Sequence, residues 1–265
     1  MEVVIQPDAE RAACLVARLV AQRLREKPHL VLGLATGRTM ERVYRCLAQM
    51  HRAQGLDFSL CRTFNLDEYI GLPTDSQYSY RYYMNRHLFS RVNIDPRNTY
   101  LPDGMAVDTA EACRRYEDQI KEFGGVDLQL LGIGSSGHIG FNEPLSALSS
   151  RTREKALTQS TLDQNGPLCG GDSKTMPRRA ITMGVGTILE AERIILMVTG
   201  ESKADILAKA VEGPITSMIS ATALQLHRSC RVIVDEEAAS KLQGRDYYRW
   251  IFQNEPEWAP YRGET

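Results

Sequence analysis

The chain has 265 residues, of which 43% are hydrophobic, and its 32 Lys+Arg against 33 Asp+Glu leave a formal net charge of −1. That length suffices for a single α/β domain spanning residues 1–265 around one sizeable core. The balanced charge excludes a global basic field of the kind that holds a nucleic acid or an anionic membrane, so the expected partner is a small molecule.

The opening MEVVIQPDAERAACLVARLV has an acid at position two and lacks a basic region, a long apolar run and a small-residue cleavage pattern, so no signal peptide is expected. No apolar stretch in the chain reaches the length of a membrane span. Cys14, Cys46, Cys61, Cys113, Cys169 and Cys230 are scattered, with no CxxC pair and no Cys/His cluster at metal-ligand spacing. Reduced thiols in a cytoplasmic protein without a metal are expected.

Apolar, β-branched runs then alternate with segments of helical period. A strand is predicted at His29–Leu34, a helix at Thr39–Met50, a strand at Leu60–Phe64, and helices at Ser79–Phe89 and Asp108–Glu122. Further strands follow at Leu128–Ile133, Arg193–Val198 and Arg231–Val234, with helices at Ser202–Val211, Ser220–Leu226 and Glu236–Leu242. The alternation predicts an α/β fold: a three-layer, mostly parallel, Rossmann-like sheet with helices on both faces. Gln159–Lys174 is polar and Gly-rich with no period, which predicts a loop long enough to act as a lid. The aromatic C-terminal tail is expected to pack back on the body.

In such sheets ligands lie beyond the carboxyl ends of the strands, and three polar segments fall there. Gly33-Leu-Ala-Thr-Gly-Arg-Thr39 follows a strand and opens a helix; backbone amides, the helix N-terminus and Arg38 would make an anion site, although an ordinary turn explains the same residues. Phe64-Asn-Leu-Asp-Glu-Tyr-Ile-Gly-Leu-Pro73 holds two adjacent acids whose side chains diverge, so only one of Asp67 and Glu68 is expected to face a pocket. A solvated cap is the alternative for that pair. GIGSSGHIGFNEP (132–144) sets His138 among four glycines, with Glu143 five residues on and able to orient the ring; a structural histidine is the competing account. Together, an anion cradle, a carboxylate and a His/Glu pair describe acid–base chemistry on a phosphorylated small molecule.

These segments resemble the glucosamine-6-phosphate deaminase (isomerase) family over nearly the whole chain. LGLATGRT is similar to its phosphate loop, FNLDEYIGLP to its base-bearing segment, and GIGSSGHIGFNEP followed by SSRTREKAL to its most specific signature. PRRAITMGVGTIL, VTGESKADILAKAVEGP and ATALQLH add to the likeness. The resemblance implies isomerisation and loss of ammonia to give fructose 6-phosphate, with no metal or organic cofactor. It assigns ring opening to His138 with Glu143 and, at the preceding turn, Ser136, and assigns removal of the C2 proton to Asp67. Phosphate binding is assigned to Thr36, Gly37, Thr39 and Lys203, with Arg38 beside them. An activator site for N-acetylglucosamine 6-phosphate between subunits of a homo-oligomer, a hexamer being favoured, would use Ser146, Arg153 and Lys155; an alternating surface strand is the other account of 151–155.

Three features depart from the family pattern. Ser136 stands where many members have an acid and can hydrogen-bond but supplies no charge. Arg38 and Met40 replace the usual glycine and proline of the phosphate loop, and the lid lacks the usual phosphate-binding arginine, for which Arg38 is the expected replacement. Rival readings are a 6-phosphogluconolactonase-like hydrolase, a deaminase for another amino sugar phosphate such as galactosamine 6-phosphate, and a non-catalytic sugar-phosphate sensor. Phe141-Asn-Glu-Pro144 and Asn65-Leu-Asp-Glu-Tyr69 are the deaminase forms.

Overall fold

The computed structural model describes residues 1–165 and 177–262. The first strand and helix are β1 (Glu2–Gln6) and α1 (Ala9–Glu26), the latter capped by the Asp8 carboxylate, which accepts from Arg11 N at 2.8 Å. Neither was expected from the sequence pattern. Then come β2 (Val31–Leu34), α2 (Arg38–Gln54), β3 (Arg62–Asn65), β4 (Asp67–Tyr69), α3 (Tyr80–His87) and β5 (Thr99–Tyr100). They are followed by α4 (Thr109–Glu122), β6 (Leu128–Leu131), β7 (Arg153–Ala156) and α5 (Gln159–Asn165). The chain continues through β8 (Arg179–Thr182), α6 (Val185–Leu189), β9 (Arg193–Val198), α7 (Ala204–Glu212), β10 (Cys230–Asp235) and α8 (Arg245–Asn254).

Seven strands form one sheet in the order β1-β10-β9-β6-β2-β3-β5, every neighbouring pair parallel, with helices around it. Val31–Leu34 and Leu128–Leu131 are buried throughout, as strands covered on both faces must be, which is why they read as largely apolar runs, broken in the second only by the buried Gln129. The predicted α/β class and the five predicted strands are present, each within two residues of its expected ends. The segments predicted as helices at Ser220–Leu226 and Glu236–Leu242 are 3-10 turns instead.

A second sheet was not expected. β4, β8 and β7 pair antiparallel in the order β4-β8-β7, in a register that puts Asp67 opposite Thr182 and Thr182 opposite Arg153. This sheet leaves the main one directly after β3, and Asp67 opens its first strand, which has only three residues.

The candidate lid begins differently from its expected form. Its first part is the helix α5, and the rest of the Gln159–Lys174 segment lies outside the described residues. At the C-terminus Trp258 is fully buried, with the Arg231 guanidinium 4.5 Å from its ring centroid, so the tail does pack on the body. Among the described residues no helix is long and apolar enough to cross a membrane.

Candidate active site

Four adjacent parallel strands deliver every segment of the site. In the order β9-β6-β2-β3, their carboxyl ends run into Thr199–Lys203, the Gly132–Pro144 turn, Ala35–Thr39 and Leu66–Asp67. Parallel pairing makes all four loops leave from the same edge of the sheet, which is where an α/β fold binds ligands.

Asp67 is 5% exposed, and no described residue hydrogen-bonds its carboxylate. Burial, and then the neighbouring charge of Glu68, push it up to about 8. Its charge is felt at the Tyr44, Tyr80 and Tyr116 phenols around it. The carboxylate faces the histidine turn: a Cβ built on Gly140 would lie 3.5 Å from Asp67 Oδ2 and 2.8 Å from Thr182 Oγ1, while Gly140 holds φ +52°. Only glycine satisfies that close approach and that dihedral at once.

Glu68 points to the other face of β4, as strand alternation requires. Its carboxylate accepts from the backbone N of Tyr69, Tyr80 and Arg81, each at 2.9 Å, and so caps α3. Of the two acids, Asp67 faces the histidine turn and Glu68 points away from it, adding to the Ser79 cap at the start of α3.

His138 and Glu143 meet across the turn. His138 Nδ1 lies 3.2 Å from Glu143 Oε2 and 2.7 Å from Ser136 Oγ, which in turn donates to Glu143 Oε2 at 3.4 Å. Thr158 Oγ1 donates to Glu143 Oε1 at 3.0 Å, and Thr161 Oγ1 to the same oxygen. Burial raises the Glu143 carboxyl, but hydrogen bonds from His138 and Thr161, the charge of His138 and the bond from Thr158 outweigh it and hold the acid down to about 2.

An ionised Glu143 only accepts, so Nδ1 carries the proton shared with it, and in the neutral ring the lone pair is on Nε2. Nε2 lies over Gly134, where a Cβ would fall 2.0 Å away; any side chain at 134 would displace the ring. Glu143 therefore supplies at Nδ1 the charge that Ser136 cannot, and Ser136 ties the two together. Thr158 and Thr161 were not expected from sequence, because a threonine inside a polar, aperiodic stretch carries no local signal for a partner some 15 residues back. They also tether the near part of the candidate lid to the site.

The residues of the expected anion cradle sit at the start of α2. Gly37 caps that helix with φ +114°, its carbonyl accepts from Tyr83 Oη at 2.8 Å, and the Thr36 hydroxyl is hydrogen-bonded to the Tyr80 phenol. Arg38 is exposed, Thr36, Gly37 and Thr39 are half-buried, and Lys203 approaches closely enough that burial, and then the Arg38 charge, lower its pKa. Two cations crowded without a described carboxylate between them suit a dianionic group. A 3-10 turn at Glu201–Lys203 leads from Gly200 into α7, whose Ile206 packs with Ile219 on Gly137, joining this loop to the histidine turn.

Met40 does not border the pocket. It is 1% exposed and part of the main core, so of the two substitutions in this loop only Arg38 reaches the site. Nor is 151–155 a strand with all charges outward. Arg153 Nη1 donates to Asn142 Oδ1 at 2.9 Å, and Asn142 in turn holds the Ile139 and Met183 carbonyls at 2.9 and 2.8 Å. Lys155 lies two residues on along the same strand face as Arg153, and Ser146 is buried with an unpartnered Oγ.

Residues 8–232 match the family model for glucosamine-6-phosphate isomerases/6-phosphogluconolactonase. The chain is 48% identical over 258 residues to a glucosamine-6-phosphate deaminase of Streptomyces coelicolor, covering 97% of this chain and 99% of that one. It is 49% identical over 251 residues to the deaminase of Hahella chejuensis, covering 95% of each. A solved monomeric glucosamine-6-phosphate deaminase superposes with a TM-score of 0.89 at 42% identity, covering 91% of this chain and all 100% of the other. A 6-phosphogluconolactonase from Trypanosoma cruzi shares the fold at 18% identity, with a TM-score of 0.74 over 91% of this chain and 97% of that one.

Proposed function

The chain belongs to the glucosamine-6-phosphate isomerase/6-phosphogluconolactonase family, and from that premise we propose that it is a glucosamine-6-phosphate deaminase, converting glucosamine 6-phosphate and water to fructose 6-phosphate and ammonia. The observation that carries the deaminase reading over the lactonase one is a carboxylate with no described hydrogen-bond partner, Asp67, buried beside the His138 turn. Ester hydrolysis of a lactone needs no base aimed at a C–H bond, whereas aldose–ketose isomerisation does.

Nε2 of His138, left as an acceptor by Glu143, takes and returns the proton that opens the pyranose ring. Asp67 then removes the C2 proton from the open chain. The resulting enolamine is reprotonated at C1, giving an imine at C2, and water replaces nitrogen to leave the ketose. A carboxyl group near 8 is a stronger base than an ordinary aspartate and still ionises at accessible pH, which suits a weakly acidic C–H. No step of this sequence calls on a metal or an organic cofactor.

Thr36, Gly37, Thr39, Arg38 and Lys203 hold the phosphate. Arg38 takes the place of the arginine that the lid lacks, and its removal is expected to raise KM for the sugar phosphate roughly tenfold with little change in kcat. Steady-state ammonia release by Arg38→Ala checks this; an unchanged KM would assign the phosphate to Lys203 and the loop amides alone.

The regulatory reading places N-acetylglucosamine 6-phosphate at Ser146, Arg153 and Lys155. Two facts support it: Ser146 Oγ is buried without a partner, and Arg153 reaches Asn142, next to Glu143. Added N-acetylglucosamine 6-phosphate is expected to lower the half-saturating substrate concentration, and a velocity curve that does not move would remove the site. A homo-oligomer, with a hexamer favoured, belongs to the same proposal, and light scattering decides it; the 42% identical relative is itself described as monomeric.

A further inference from the structure

Away from the site, two cysteines from different helices meet. Cys14 of α1 and Cys46 of α2 are 32 positions apart in sequence, and their sulfurs are 3.0 Å apart across the interface of the two helices. A disulfide needs about 2.05 Å, so closing this pair takes about 1 Å of sulfur movement, within the reach of side-chain rotation between helices already in contact. We propose that Cys14 and Cys46 form a reversible redox site, oxidised by hydroperoxides to a disulfide that staples α1 to α2.

The two thiols are placed for different roles. Cys14 is half-buried and accessible, whereas Cys46 is 6% exposed. Burial, then Cys14 and the Glu10 carboxylate, push the Cys46 thiol up to about 12, so Cys14 is the sulfur that meets the oxidant. The Cys14 sulfur attacks the distal peroxide oxygen: an S–O bond forms, the O–O bond breaks, and the thiol proton leaves with the alcohol. The product is a sulfenic acid on Cys14. The Cys46 sulfur then attacks the Cys14 sulfur, the S–O bond breaks and water departs, so the hydroperoxide accounts for both electrons removed.

Glu10 is positioned to take the Cys46 proton, because one of its oxygens lies within 4.8 Å of both sulfurs. The same three residues have donor atoms suited to a soft divalent cation. Against that use, Glu10 is already flanked by Arg42 at 3.8 Å and Arg45 at 3.6 Å, two cations that a metal would have to displace or tolerate.

The bridge would have a physical consequence near the active site. Its covalent ring spans residues 14–46 and so encloses β2 and the whole Thr36–Thr39 cradle, restricting the unfolded ensemble of that segment. A rise in Tm of roughly 5–10 °C on oxidation is expected from a loop of this length in a chain of this size.

The test uses the full chain, reduced and then exposed to hydrogen peroxide, followed by thiol alkylation, peptide mapping and thermal melting. The proposal predicts a cross-linked pair of peptides containing Cys14 and Cys46, loss of two hydrogens in mass, the higher Tm, and reversal of all three by dithiothreitol. In Cys14→Ser and, separately, Cys46→Ala, the cross-link and the Tm rise should vanish while the melting of the reduced protein stays close to wild type. Cys14 and Cys46 remaining alkylatable after peroxide would overturn it. So would a sulfinic acid at Cys14 without a bridge, a disulfide pairing either residue with Cys169, or thiols that react only after a chelator, which would assign Glu10, Cys14 and Cys46 to a cation instead.

Discussion

Asp67→Asn is expected to cut kcat for ammonia release by about 10³-fold or more while leaving KM within about threefold of wild type. Asparagine keeps the shape of the side chain and loses only its capacity to take a proton. In the wild type the same group should set the pH profile: kcat/KM rises as pH climbs through about 8, the point to which burial pushes the carboxyl. Stability should move the other way. A carboxyl whose folded value lies above its unfolded value near 3.8 holds its proton more tightly when folded, so the stability it contributes is complete below that value and drains away as pH rises through about 8. Asp67→Asn should therefore melt at a higher temperature than wild type at pH 9 and at a similar one near pH 4. An inactive variant with no such alkaline gain would mean that the carboxylate is not the buried, unpartnered group described.

Replacing His138 by Gln should lower kcat about 10²- to 10³-fold, because ring opening loses the acceptor at Nε2. Glu143→Gln should cost less, about 10- to 100-fold, since Ser136 still holds Nδ1 but the charge that fixes the tautomer is gone. The two variants are separable by stability. Glu143 is held down to about 2 when folded against 4.5 for an ordinary glutamate, so its stabilising effect is fully present above 4.5 and is lost as pH falls towards 2. Melts of Glu143→Gln should fall below wild type at pH 7, with the gap narrowing under pH 4.5. A gap that stays constant over that range would contradict the ion-paired arrangement.

The parallel sheet was legible because its central strands are buried on both faces and therefore spell mostly apolar runs, Ile194–Val198 without a break and Leu128–Leu131 with only Gln129 inside. Glu2–Gln6 and Ala9–Glu26 carry local signals too, a β-branched run and an Asp8 cap before a periodic apolar face. The small antiparallel sheet had no such signal. Asp67–Tyr69 has three residues, and the polar Arg153–Ala156 is a strand only because Arg179–Thr182 pairs with it from a distant part of the chain.

The site divides along the same line. Candidate residues carried by a strand end or a turn, Asp67, His138, Glu143, Gly37 and Lys203, fall where the chain order of strands puts them, beyond four neighbouring strands. Roles fixed by tertiary contact were hidden. Glu68 as a partner of the first amides of α3, Met40 as core, and Thr158 and Thr161 as the clamp on Glu143 follow from which elements pack together, and local spacing does not encode that. The Ser136 substitution shows both: the sequence reveals a missing charge, and only the fold shows Glu143 at the same nitrogen.

Product analysis with glucosamine 6-phosphate, galactosamine 6-phosphate and 6-phosphogluconolactone offered in parallel bears on the central claim most directly. The predicted result is ammonia and fructose 6-phosphate in equal amounts from glucosamine 6-phosphate, at a kcat/KM about tenfold or more above that for the galactosamine epimer, with the lactone left intact beyond its spontaneous hydrolysis. Rapid lactone hydrolysis with no ammonia from either amino sugar would contradict it.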